Sequence, residues 1–267
     1  MTDLSGRKLI LTGASEGIGR ALALALASCG ARVVLAARDG ARLESLALEC
    51  RSRGGQALAI ATDVTNAQDC EWLVAETIKA FGGIDVVVHN AGITMWSRFD
   101  ALSDLSIFER LLEVNYLAPV RLTGLTLPHL KQSKGLIVAI ASLAGLTGVP
   151  ERSGYAASKH AMVGFFDSLR IELRGSGVDV SVIAPDFVVS EIHKRAIGPD
   201  GQPLGASPMR QAKIMTAEDC AARIVRAIAR RERLVLMSAR GKLGRWLKLL
   251  APSLIDRLAA RAIRQRY

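Results

Sequence analysis

Aromatic residues are scarce in this chain, with three Trp, three Tyr and six Phe in 267 residues. Cysteine is scarce too: Cys29, Cys50, Cys70 and Cys220 stand apart, and no two form a C-x-x-C pair. That scatter excludes a disulfide framework and a zinc site, and it fits reduced thiols in a reducing compartment. No uninterrupted apolar run approaches the ~18 residues of a membrane span. Met1 to Lys8 is short and polar, without the apolar core of a signal peptide. The expectation is a cytoplasmic protein, or one resting on the cytoplasmic face of a membrane. Acidic residues are depleted in one place above all. Residues 240–267 hold eight Lys or Arg against Asp256 alone, a net charge of +7. The whole chain carries +10, so the remaining residues carry +3 and the body is nearly neutral.

What is present is a composition half apolar and rich in Ala, Leu and Val, suited to helices covering a buried sheet. The pattern Lys8-Leu-Ile-Leu-Thr12 reads as a short buried strand. It is followed by Gly13-Ala-Ser-Glu-Gly17-Ile-Gly19 and a helical run from Arg20 to Cys29. Strand, glycine-rich turn and helix form the context of a dinucleotide fingerprint. Gly13 permits the tight turn, Gly17 lets backbone N–H groups reach a pyrophosphate, and Gly19 lets the helix close on the sheet. Ser15 and Ile18 complete the turn. A second strand, Arg32 to Ala36, ends in Ala37-Arg38. An acid at this strand end would bond an adenosine ribose 2′-OH, whereas an arginine meets a 2′-phosphate. Arg38, with Ser15, therefore argues for NADPH over NADH, and Asp39 is placed to cap the helix Gly40–Arg53. Strand Gln56–Ala61 delivers Asp63 and Val64, and Thr65-x-x-Gln68 reads as a capping box opening a helix to Phe81. Strand Val86–His89 leads into Asn90-Ala91-Gly92. Four strand–helix units joined by short loops predict a parallel, doubly wound α/β sheet.

In the second half, a helix expected over Asp104–Leu127 carries Asn115, an amide whose local hydrogen bonding would distort it. Strand Gly135–Ala141 delivers Ser142 at its carboxyl end. Tyr155 and Lys159 lie four apart on a helix over 154–173 and share a face. A free phenol titrates near ~10 and gives up its proton poorly at neutral pH; an ammonium beside it favours the phenolate. Hydride reaching a carbonyl carbon builds charge on the oxygen, and Tyr155 and Ser142 are donors able to meet it.

Taken together, Thr12-Gly-x-x-x-Gly-x-Gly19, Asp63-Val64, Asn90-Ala-Gly92, Asn115, Ser142 and Tyr155-x-x-x-Lys159 resemble the motif set of the short-chain dehydrogenase/reductase family. They stand in family order across residues 7 to about 190. The resemblance implies one Rossmann-like domain with a seven-stranded sheet, a hydride-transfer site centred on Tyr155 and a homotetramer or homodimer built on helices 104–127 and 154–173, while Arg38 and Ser15 argue for NADP(H) as its cofactor. It also implies roles. Tyr155 protonates the carbonyl, Lys159 lowers the phenol's pKa and bonds the nicotinamide ribose, and Ser142 bonds the substrate oxygen. Asn115 holds a water between Lys159 and solvent, and Val188 and Ser190 meet the carboxamide. Two positions depart from the family pattern: Asp186 where glycine allows positive φ, and His89 where a second Asn is usual.

The catalytic domain is expected over residues 1–239. Within it, a segment at about 191–215 is too rich in Gly and Pro for long elements, and in the family it forms the substrate lid. Four basic residues there, Lys194, Arg195, Arg210 and Lys213, could meet an anion or be solvated. The tail 240–267 pairs an apolar face (Leu243, Trp246, Leu247, Leu250, then Leu254, Ile255, Leu258, Ala259, Ala262) with a cationic one. Such a pattern suits an interfacial membrane helix, and equally packing on the enzyme's own surface or a partner subunit. No recognition motif accompanies the charge, which argues against nucleic acid. Lid and tail together resemble the membrane-associated branch of the family that reduces lipid ketones. The expected activity is NADPH-dependent reduction of a hydrophobic ketone. A 3-oxoacyl-thioester or small-ketone reductase and a non-catalytic nucleotide sensor are the rivals.

Overall fold

The computed structural model describes residues 4–207 and 214–264. Seven strands form one parallel sheet in the order β3-β2-β1-β4-β5-β6-β7. These are β1 (Lys8–Thr12), β2 (Arg32–Ala37), β3 (Gln56–Ala61), β4 (Val86–His89), β5 (Leu136–Ile140), β6 (Asp179–Ala184) and β7 (Leu234–Leu236). The order reverses between β1 and β4, where Ile10 lies opposite Val34 on one side and Val87 on the other.

Alternation along each strand builds two apolar layers, because successive side chains leave a sheet on opposite faces. Leu9, Leu11, Val33 and Leu35 point into a layer under α1 (Gly17–Ala27), α2 (Gly40–Ser52) and α7 (Ala217–Arg230). Ile10, Val34, Val87 and Ile137 point the other way, into a layer under α3 (Ala67–Phe81), α5 (Ala118–Ser133) and α6 (Ser153–Glu172). Burial on both faces is why the strands read as unbroken apolar runs. His89 sits within this second layer, bonded to Thr123 at 2.9 Å and stacked on Phe166. Burial pushes its pKa down to about 3, so it packs as a neutral ring. Cys50, Cys70 and Cys220 are buried free thiols, and Cys29 is half-buried.

Asp39 caps α2 as expected, accepting from Arg42 N–H. The capping box expected at Thr65 is displaced by one residue. Thr65 spends its hydroxyl and its N–H on Asp63 Oδ1, at 2.7 and 2.9 Å, and Asn66 takes over the cap by accepting from Asp69 N–H. The helix expected over 104–127 is also corrected. It begins as α4 (Ser106–Leu112), widens into a π turn over Glu113–Leu117, and continues as α5 through Pro128 to Ser133. Asn115 lies in that widened turn. Half-buried Tyr116 and the exposed Leu112, Leu117 and Ile171 leave apolar surface on the two helices expected at a subunit interface.

The last two described elements are helices of similar length, α8 (Ala239–Leu250) and α9 (Pro252–Arg264), which pack on each other. No helix among the described residues is long and apolar enough to cross a membrane.

Candidate active site

A cleft of about 1110 Å³ opens at the carboxyl ends of the strands, running from Arg38 past Tyr155 to Leu258. Open parallel sheets form their ligand crevice where the strand order reverses, and this cleft lies there. At that point the loops after β1 and β4 are tied together. Thr12 Oγ1 accepts from the N–H groups of Asn90 and Ala91, and Asn90 Nδ2 donates to the carbonyls of Thr12 and Gly13.

Two glycines make the closeness possible. Gly13 has φ +64°, and a Cβ there would lie 2.8 Å from Ala91 Cα. A Cβ on Gly19 would meet the Gly13 carbonyl at 2.0 Å, so only glycine lets α1 start this near the turn. The helix starts at Gly17 without a side-chain cap. Its first N–H groups therefore remain for an anion, as dinucleotide sites require. Ser15, Ile18, Asp63, Val64 and Gly92 line the same stretch of cleft. Hydrogen bonds from Thr65 N–H hold the Asp63 carboxyl below its usual range, with its hydroxyl and Arg38 adding to the effect against burial.

Arg38 lines the cleft from an exposed turn after β2. Arg42, which the sequence reading passed over, joins it from the first turn of α2 and pairs with Asp39 and Glu16. Four-residue spacing from Arg38 was the available signal, hidden by the helix boundary between them. Glu16 also receives a two-pronged bond from Arg195, in the segment after β6, at 2.5 and 2.6 Å. The segment after β6 is thereby tied to the glycine-rich turn. Lys194 pairs with Glu191. Arg210 and Lys213 lie outside the described residues. Val188 and Ser190 sit on the cleft wall after β6.

On the other side of the cleft, Ser142, Tyr155 and Lys159 converge. Ser142 caps a short 3-10 turn by accepting from Ala144 N–H at 3.2 Å, a bond that leaves its own hydroxyl hydrogen to be donated. Tyr155, 8% exposed, is seated in an apolar cluster with Met95, Leu111, Ala144 and Ile197. Lys159 is 4% exposed, with Nζ 6.0 Å from the centre of the Tyr155 ring and donating to Ile140 O at 2.9 Å. Burial pushes its pKa down to about 8.

Asn115 is brought to the same place. Its side chain bonds both N–H and C=O of Ile93 and donates to Ser158 Oγ, each at 2.9 Å. The side chain thus bolts the loop after β4 to α6, with the π turn placing the amide there. Such turns are frequent at functional sites.

Asp186 is the other surprise. Among the described residues the non-glycine positions with positive φ are Lys134, Glu151 and Arg231, so Asp186 needs no glycine-like backbone. Its carboxylate instead accepts from Ser238 Oγ at 2.8 Å and from Phe187 N–H at 3.0 Å. Ser238 in turn caps α8. The tail is therefore drawn onto the cleft. Gly241 packs on the Leu143 side chain, and Lys248, on the cationic face of α8, donates to Leu146 O at 2.9 Å. Leu247, Ile255 and Ala259 line the cleft behind it. Trp246 and Leu250 face outward, 65% and 80% exposed.

A sequence model described as short chain dehydrogenase matches residues 7–198. The chain is 36% identical to 11-beta-hydroxysteroid dehydrogenase-like 4A of Arabidopsis thaliana over 94% of its own length and 83% of that protein's. It is 34% identical to dehydrogenase/reductase SDR family member 7B of Rattus norvegicus, over 97% and 82%. Among solved structures it is similar to an alcohol dehydrogenase from the archaeon Thermococcus sibiricus complexed with 5-hydroxy-NADP. That likeness has a TM-score of 0.72 at 28% identity, covering 82% of this chain and 88% of the other.

Proposed function

We propose that this chain, which belongs to the short-chain dehydrogenase/reductase family, is an NADPH-dependent reductase of hydrophobic, lipid-like ketones. The observation that carries the reading is the buried Tyr155–Lys159 pair on the wall of a cleft that continues into the Gly13–Gly19 cradle.

The cradle fits a dinucleotide, since Gly13 and Gly19 let the turn close on the Asn90–Ala91 loop, where Cβ atoms would collide, and the α1 N–H groups face the cleft uncapped. Gly13, Ser15, Gly17, Ile18 and Gly19 would hold the pyrophosphate. Asp63, Val64 and the Asn90–Gly92 loop would enclose the adenine and ribose, and Val188 and Ser190 the carboxamide. When bound, the nicotinamide supplies the hydride. The protein's own work is then to manage the oxygen. Tyr155 gives its hydroxyl proton to the carbonyl oxygen as charge grows there, and Ser142 donates a hydrogen bond to the same atom. The Lys159 ammonium stands beside the ring and balances the tyrosinate that remains. Asn115 keeps the loop and α6 in register throughout.

Arg38 and Arg42 supply two guanidinium groups where a 2′-phosphate would lie, and charge-assisted bonds of that kind are worth roughly 1.5–3 kcal/mol when well made. Arg38 is exposed, so the lower part of that scale applies. Arg38→Ala is expected to weaken NADPH about tenfold and leave NADH nearly unchanged. A competition titration reads this directly, and a wild-type preference for NADH would refute it.

The apolar wall made by Leu247, Ile255 and Ala259 supports a hydrophobic substrate. Outside it, Trp246, Leu249 and Leu250 present apolar surface beside Lys242, Arg257 and Arg261, while the exposed Leu243, Arg245 and Leu258 stand at the cleft's rim. Apolar surface with cations around it suits the headgroup region of an anionic membrane, each cation adding about 1 kcal/mol, screened by salt. The folded protein is expected to sediment with anionic liposomes at low salt and far less with neutral ones. Trp246→Glu with Leu250→Glu should release it. Indifference of the wild type to anionic liposomes would remove the membrane from this reading and favour a soluble small-ketone or 3-oxoacyl-thioester reductase.

A further inference from the structure

Arg152 opens α6 three residues before Tyr155, and nothing in the proposed chemistry uses it. It is 5% exposed and lines the cleft. Its guanidinium carbon lies 4.4 Å from the centre of the Tyr155 ring, 5.2 Å from Trp96 and 5.9 Å from Phe187. Three of the chain's twelve Phe, Tyr and Trp rings thus surround one cation. The surroundings are built to hold it. Arg152 Nη2 donates to Thr94 Oγ1 at 2.5 Å, and its carbonyl accepts from Ala156 N–H at 2.8 Å. Glu151 adopts φ +64°, a costly conformation for a non-glycine residue, and accepts from Trp96 Nε1 at 2.8 Å. Trp96 is thereby fixed against the guanidinium.

Burying a cation is expensive, and here it is done at the face of the proton-donating ring. A cation over an aromatic face is attracted to it, and more strongly once the ring carries negative charge. Lys159 Nζ stands 6.0 Å from the centre of the same ring, so two cations, one just before α6 and one within it, stand near Tyr155. We propose that Arg152 is a positioning residue for the reaction: stacked on Tyr155, it fixes the ring at the cleft wall and favours the tyrosinate left after proton transfer. This inference rests on the proposed role of Tyr155.

The test is Arg152→Ala with NADPH and a reducible ketone, run beside Tyr155→Phe. Arg152→Ala should lower kcat roughly tenfold to thirtyfold, the scale of a desolvated cation–π contact, while the NADPH Kd from nicotinamide fluorescence stays at the wild-type value. Guanidinium chloride at about 50 mM, far below the molar range in which it unfolds proteins, should restore several-fold activity. Urea, its neutral counterpart, and an equal concentration of NaCl should not. Arg152→Met, which fills the space without charge, guards against a variant that fails to fold, and it should show the same loss. Wild-type kcat in folded Arg152→Met, equal rescue by urea, or a loss confined to the KM of anionic ketones would each overturn the proposal. The last would make Arg152 a reader of substrate. Retained turnover in Tyr155→Phe would instead sink the mechanism beneath it.

Discussion

Tyr155→Phe is expected to lower ketone turnover roughly a thousandfold, the scale of losing both a positioned proton donor and one oxyanion donor. The ring is seated by Met95, Leu111, Ala144 and Ile197, and phenylalanine fills the same seat. Only the hydroxyl goes. NADPH affinity and thermal stability should therefore stay close to wild type, since the cofactor cradle lies across the cleft in the β1–α1 turn. Single-turnover reduction followed at the NADPH absorbance separates the two quantities. Residual activity should come from Ser142, whose hydroxyl hydrogen remains to be donated. Turnover near the wild-type rate would mean that another group delivers the proton and that the mechanism proposed for this cleft is wrong.

The residues that could be read from sequence are those whose purpose is local. Gly13 and Gly19 announce a turn because the spacing of strand, glycines and helix is written in one short stretch, and strands such as Val86–His89 announce themselves by composition. Asp39 was legible as a cap for the same reason. What escaped depends on chain crossing from elsewhere. Asp186 looked like a misplaced glycine, but its partner Ser238 is 52 residues away. Lys248 falls on the cationic side of a helical wheel, yet its acceptor is Leu146, 102 residues earlier. Helical periodicity identified the apolar face of the tail and could not say which of its residues meet the cleft. Leu247 does, and Trp246 beside it does not. Arg152 escaped for a related reason. At three residues from Tyr155 it reads as a surface charge at a helix start, and only the arrival of Trp96 and Phe187 from other loops makes it buried.

Lys159→Met should act in two opposed directions. Activity falls, because the ammonium that balances the tyrosinate is gone and so is a donor for the nicotinamide ribose. Loss of turnover by roughly a hundredfold or more, together with weaker NADPH binding, separates it from Tyr155→Phe, which spares the cofactor. Stability of the free protein moves the other way. Burial lowers the Lys159 pKa from 10.5 to about 8. A lysine with a depressed folded pKa is charged in both states below pH 8, and folding then carries the cost of burying that charge. Between pH 8 and 10.5 the unfolded chain binds the extra proton, so the wild type gains stability as pH rises. A shift of this size corresponds to about 3 kcal/mol across that window, at one pKa unit per ~1.4 kcal/mol. Methionine cannot titrate, so the difference in unfolding free energy between the two proteins should move toward the wild type by about that amount between pH 8 and 10.5. The lost bond to Ile140 O displaces both ends of the comparison equally and does not enter the slope. Urea denaturation at pH 7.5, 9 and 10.5 supplies the measurement. A difference that stays flat with pH would show that Lys159 keeps its ordinary affinity for the proton, and the buried ammonium would then have no claim to be held in readiness for the tyrosine.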